Sequence, residues 1–146
     1  MELIGRFRGD PLVAKNVSGE ALAADIPLSF WGGYDTETGT IIDQRHPLAG
    51  EIAAGRVLVI PTGRGSCSGS GILLEAIFAT TAPAAIIISR IDPIIGLGCV
   101  LGDELHQSHP ALILMEETDR KQIATGDTVS IDEQGWITVL RHRHAS

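Results

Sequence analysis

Between Arg56 and Phe78 the apolar residues change their spacing once, across eleven positions dominated by glycine and serine. Arg56-Val-Leu-Val-Ile60 is a β-branched apolar run that reads as a buried strand. Ile72-Leu-Leu-Glu-Ala-Ile-Phe78 has helical spacing, with Leu74, Ile77 and Phe78 on one face. A second apolar run, Ala84-Ala-Ile-Ile-Ile-Ser89, follows Pro83 and reads as another buried strand. Strand, helix and strand in that order form a βαβ unit with a right-handed crossover. The fold class expected is therefore mixed α/β.

The turn inside that unit is Pro61-Thr-Gly-Arg-Gly-Ser-Cys-Ser-Gly-Ser-Gly71. A strand-to-helix turn presents unpaired backbone N–H groups and the positive end of a helix dipole, which suits an anion. Its glycines let the backbone bend and let a ligand approach closely. Arg64 adds a fork of donors that matches a carboxylate or phosphate. Gly65, Cys67 and Ser68 follow it as candidate substrate-binding residues, with Ser66 as an exposed serine at the centre of the cradle. A purely structural turn is the alternative, since such turns are common in α/β domains. The nucleotide-binding pattern Gly-x-x-x-x-Gly-Lys-[Ser/Thr] is absent, and no serine here has glycine at both −2 and +2 as a hydrolase nucleophile would.

A chain of 146 residues fits one domain, spanning 1–146 with about 141–146 as a frayed tail. A net charge of −7, with Lys15 and Lys121 the only lysines, argues against nucleic acid as a partner. No apolar run has the length of a membrane span and no signal peptide is visible, so a cytoplasmic protein is expected. Cys67 and Cys99 form neither a ligand cluster nor a disulfide scaffold, so no metal is assigned to this chain.

Upstream, Leu3 to Arg8 and Gly19 to Ala23 read as strands, with a loop at Gly9-Asp-Pro11 between them. Leu28 to Gly39 places Phe30, Trp31 and Tyr34 beside Gly32 and Gly33, either a turn packing its own aromatics or the wall of a site. Thr40 to Asp43 is a short strand, and His46 before Pro47 reads as a surface loop histidine with a catalytic role as the lesser alternative. Downstream, Asp92-Pro93 caps a stretch whose glycines leave helix and packed loop both open. Ala111 to Met115 is a third buried strand, Thr118 caps a short helix to Ala124, and residues 127–132 and 136–140 form a closing hairpin.

Taken in order, residues 28–43, His46-Pro-Leu-Ala-Gly50, residues 61–71, Pro83 to Ile88 and the hairpin resemble the small subunit, or swivel domain, of the aconitase X family. The resemblance covers nearly the whole chain. It implies a single swivelling β/β/α domain that works with a large catalytic subunit, and an iron or iron–sulfur centre carried by that partner rather than by this chain. In aconitases a serine of the glycine-serine loop abstracts a carbon-bound proton, and Ser66 falls on that position. The second serine of the aconitase pair is Cys67 here, and the arginine usually beside it is absent, with Arg64 two residues upstream of Ser66. The resemblance further implies a small carboxylate substrate that loses water: cis-3-hydroxy-L-proline, to which the loop and Ser29-Phe-Trp-Gly-Gly33 are more similar, or phosphomevalonate. Trp31, Gly32, Gly33 and His46 are then candidates for the cleft or the interface.

A serine hydroxyl is a poor base. With a pKa near that of water, about 16, its ionisation at pH 7 costs on the order of 12 kcal/mol. A helix N-terminus returns up to about 2 kcal/mol. Turn amides and Arg64 add a few more. The rest must come from acidifying the substrate, which makes this chain half of an active site. A non-catalytic small-anion binding or regulatory module would share these features. A phosphohistidine carrier would need a histidine in residues 61–71, and there is none.

Overall fold

The computed structural model describes residues 1–64, 68–105 and 109–142. Three strands come first, β1 (Glu2–Arg8), β2 (Asp10–Val13) and β3 (Val17–Ala23). A two-residue pair, β4 (Tyr34–Asp35) and β5 (Thr40–Ile41), closes the aromatic loop on itself. The central unit is β6 (Val57–Val59), α1 (Gly69–Phe78) and β7 (Ala85–Ile88), followed by α2 (Pro93–Leu105) and β8 (Ala111–Leu114). The short α3 (Glu117–Arg120) leads to β9 (Thr128–Ile131) and β10 (Trp136–Arg141).

Eight strands form one sheet in the order β1-β10-β9-β3-β6-β7-β8-β2. The stretch β3-β6-β7-β8 is parallel and its flanks are antiparallel. β1 and β2 stand at opposite ends of that order, yet only Gly9 separates them, and the Gly9 N–H donates to the Gly135 carbonyl. The sheet therefore curls until its edges meet.

Side chains alternate across the parallel strands, and both faces are buried. Leu22, Leu58, Ile86 and Ile88 point to the helices, where Leu73, Ile77, Ile95 and Cys99 meet them. Ala21, Val57, Ala85 and Ile87 point the other way, onto Val129, Ile131, Ile137 and Val139 of the hairpin. Sheet, sheet and helices are the β/β/α layering expected.

Several local readings change. Gly9-Asp-Pro11 is not a loop, because β2 begins at Asp10. It is an edge strand, where a proline costs no ladder bond. α1 starts three residues earlier than its apolar period and buries Leu73, Ala76 and Ile77, while Phe78 is exposed. The stretch after Asp92 is a 13-residue helix despite its glycines. A Cβ at Gly98 would press on Leu73 and one at Gly102 on Ile77, so these glycines let α2 lie close along α1. α3 has Glu116 rather than Thr118 at its N-cap and ends at Arg120. Arg141 is no frayed residue: it belongs to β10 and its Nε donates to Asp127 at 2.8 Å.

Candidate functional site

The four parallel strands deliver their C-terminal ends to one edge, and the segments that leave them there are 24–30, 60–64, 89–92 and 115–116. In parallel α/β sheets, ligands bind at this end. Both α1 and α2 also start there, so two positive helix ends face the same edge.

The first half of the glycine-serine loop is pinned from both sides. The carbonyl of Pro61 accepts from the N–H groups of Ser89 and Arg90, at 2.9 and 3.1 Å. On the other flank Leu28 donates to the Thr62 carbonyl, and Arg64 donates its N–H to the Leu28 carbonyl at 3.1 Å. Gly63 lies directly on the carboxylate of Asp92, whose Oδ2 occupies the space a Cβ would need. The other oxygen, Asp92 Oδ1, accepts from the Ile94 N–H at 3.0 Å and so caps α2. Buried Asp92 thus joins the loop to a helix start, a link invisible in the sequence, where it reads only as a cap.

Gly65, Ser66 and Cys67, three of the sequence-predicted site residues, lie outside the described residues. Ser68 stands at the N-cap of α1 with αR backbone and without a side-chain cap hydrogen bond. Ser70 is buried in the first turn.

Arg64 is half-exposed, and its NH2 group stands 3.4 Å from Asp43 Oδ2. Sequence reading missed Asp43. Its signal was an aspartate two residues before a turn N–H, since Oδ1 accepts from the Arg45 N–H at 3.0 Å. Next to it the surface reading of His46 fails: the side chain is buried, the residue only 4% exposed. The His46 Nδ1 accepts from the Leu48 N–H at 3.1 Å, which places the ring proton on Nε2, 3.1 Å from the Ile26 carbonyl. With both nitrogens engaged, His46 braces the loop and leaves none for proton transfer.

The aromatic loop does both of the things its sequence left open. Phe30 and Tyr34 are buried with ring centroids 5.2 Å apart, and Tyr34 donates its hydroxyl to the Thr81 carbonyl at 2.6 Å. Burial pushes that phenol well above its ordinary value. Trp31 is instead 57% exposed, and its backbone lies beside Gly69 at the start of α1. Gly32 takes a left-handed φ of 76°, and Gly33 packs tightly on the Ser29 carbonyl. The structure therefore assembles Trp31, Arg64 and the α1 N-terminus at one edge, with His46 beneath as support.

On the opposite side of that edge, Arg120 is buried and donates to Ser89 Oγ and Asp25 Oδ1, each at 2.7 Å. Its hydrogen bond holds the Asp25 carboxyl below the usual carboxylate value, with Lys121 adding to the effect. Among the described residues no group of three His, Cys, Asp or Glu stands close enough to hold a metal ion, so they do not fit an iron centre. None of the described helices is long and apolar enough to cross a membrane.

The family model for the aconitase X swivel domain matches residues 6–139. A cis-3-hydroxy-L-proline dehydratase from Pseudomonas aeruginosa is 49% identical over 109 residues, covering 74% of this chain and 19% of that protein. One of the same name from Hypocrea jecorina is 38% identical over 126 residues, 86% of this chain and 21% of that protein. The chain thus spans about a fifth of the length of these two relatives. A phosphomevalonate dehydratase small subunit from Methanopyrus kandleri is 42% identical over 138 residues, covering 93% of this chain and 98% of that one. Among solved structures, aconitase X of Thermococcus kodakaraensis in its holo-form superposes with a TM-score of 0.82 at 29% identity, over 94% of this chain and 99% of that one.

Proposed function

This chain belongs to the aconitase X swivel domain family, and on that premise we propose that it is the small subunit of a two-part dehydratase that eliminates water from cis-3-hydroxy-L-proline. The observation that carries the substrate is the 49% identity to the Pseudomonas aeruginosa dehydratase of that compound. The second reading, phosphomevalonate, is favoured by the Methanopyrus kandleri small subunit, which this chain matches almost end to end.

In this reading Ser66 takes the proton α to the carboxylate, the hydroxyl leaves from the neighbouring carbon, and the enamine product tautomerises to a pyrroline carboxylate. Arg64, half-exposed at the C-terminal edge of the parallel strands, binds the carboxylate with its planar fork. The two helix N-termini at that edge stabilise negative charge as it develops. Trp31, exposed beside the start of α1, is the side chain this reading offers to the larger subunit. The iron or iron–sulfur centre belongs to that subunit, and the small chain alone is inactive.

The test is to co-express the chain with its large subunit and assay both compounds. The reading expects turnover of cis-3-hydroxy-L-proline by the complex and by neither subunit alone. Turnover of phosphomevalonate instead moves the assignment to the second reading, and activity of the small chain by itself removes the two-subunit scheme.

A further inference from the structure

We propose that Asp43 is a positioning and specificity-determining residue: by holding Arg64 it makes the mouth of the site selective for a ligand that carries both charges, an α-amino acid zwitterion, over a phosphate dianion. The inference rests on the reading of Arg64 as the carboxylate clamp and goes beyond it by assigning the selectivity to a second residue.

The geometry begins below the surface. His46 anchors the 43–48 turn to the Ile26 carbonyl, and its own N–H donates to the Asp43 carbonyl at 3.0 Å. The Arg45 N–H fixes the Asp43 carboxylate through Oδ1, which leaves Oδ2 aimed at Arg64. Arg64 is fixed from its own side by the backbone bond to Leu28. The side chain of Asp43 is only 20% exposed and that of Arg64 55%, so the anion is the rooted member and the cation the outward one. Asp43 therefore sets where the guanidinium stands.

The pair is also unsaturated. At 3.4 Å it is a loose contact, and one N–H of a guanidinium with five donors meets one oxygen of a carboxylate with several lone pairs. Both partners keep capacity for a ligand. In an α-amino acid, ammonium and carboxylate share Cα, which sets them about 3 Å apart by ordinary bond lengths. That matches the spacing of the pair and lets each end of the zwitterion meet its opposite. A phosphate dianion gains Arg64 but is repelled by Asp43, and like-charge juxtaposition is an effective means of rejecting the wrong ligand.

The experiment uses the reconstituted complex turning over cis-3-hydroxy-L-proline, with L-proline and inorganic phosphate as competing inhibitors. Asp43→Asn keeps the oxygen that accepts from Arg45 and removes the charge. The ratio of the two inhibition constants should shift towards phosphate by about two- to fivefold, the scale of one exposed charge contact. Asp43→Glu keeps the charge but moves Arg64, so KM should rise while the ratio holds. A residue with a merely structural role would weaken both inhibitors together and leave the ratio constant in both variants. That result, with a wild-type complex active on cis-3-hydroxy-L-proline, overturns the assignment of Asp43 alone. A wild-type complex inactive on that substrate overturns the functional reading and takes this inference with it.

Discussion

The closing hairpin and the loop edge are built by different physics. β9, β10 and β1 are held by antiparallel ladders, with one register shift between Leu3 and Gly5, over an apolar interior of Val129, Ile131, Ile137 and Val139. At the loop edge, polar side chains bonded to backbone add to the packing: His46 to Ile26 and Leu48, and Asp92 to Ile94. Apolar burial is non-directional and tolerates small shifts, whereas each polar staple fixes one segment at one distance. At the loop edge, where a site must be precise, side-chain bonds tie down segments that lie outside the strands.

The largest test of that contrast lies in the hairpin. Ile137→Ala removes a fully buried side chain and should cost about 2–5 kcal/mol in denaturant unfolding. Turnover per folded molecule should hardly change. A variant that unfolds normally but loses activity would show that the two regions are not separable.

On the loop side, His46→Ala strips the acceptor from the Leu48 N–H and the donor from the Ile26 carbonyl. One buried group left unpaired costs about 1–3 kcal/mol. Because the 43–48 turn carries Asp43, KM should rise as well. Wild-type KM in His46→Ala would mean that the staple does not hold the site.

The smallest effect is a pH dependence. Asp127 is buried, which opposes its ionisation, but Arg141 and the Ala124 N–H outweigh this and hold its carboxyl below the ordinary value. Its folded pKa lies below the unfolded one, so its contribution is complete above about pH 4, the unfolded value, and is lost as pH falls through the folded value. Melting temperatures of Asp127→Asn should therefore fall less steeply than wild type as pH drops below 4. An unchanged acid slope would place the acid sensitivity elsewhere.

The layered fold was legible because its signals are periodic. The Val57 and Ala85 runs, the α1 spacing and the hairpin each carry their own pattern, and the aconitase X resemblance joined them. What escaped was tertiary. Pro11 reads as a loop until β2 is seen at the edge of the sheet, and the glycines of α2 weaken a helix that close packing on α1 restores. His46 looked like a surface residue because nothing local shows that its two nitrogens meet Ile26 and Leu48. Arg64 was identified from its chemistry, but its partner Asp43 lies 21 positions away, a pairing no spacing rule supplies.

If this chain contributes the base to a shared active site, Ser66→Ala in the reconstituted complex should all but stop turnover without disturbing assembly. Loss of a general base lowers rate by about 10²–10⁴, while removing one oxygen from the loop leaves the fold in place. The expected result is a fall in kcat of that size on cis-3-hydroxy-L-proline, with a melting temperature and subunit affinity equal to wild type. Near-normal turnover by Ser66→Ala would contradict it.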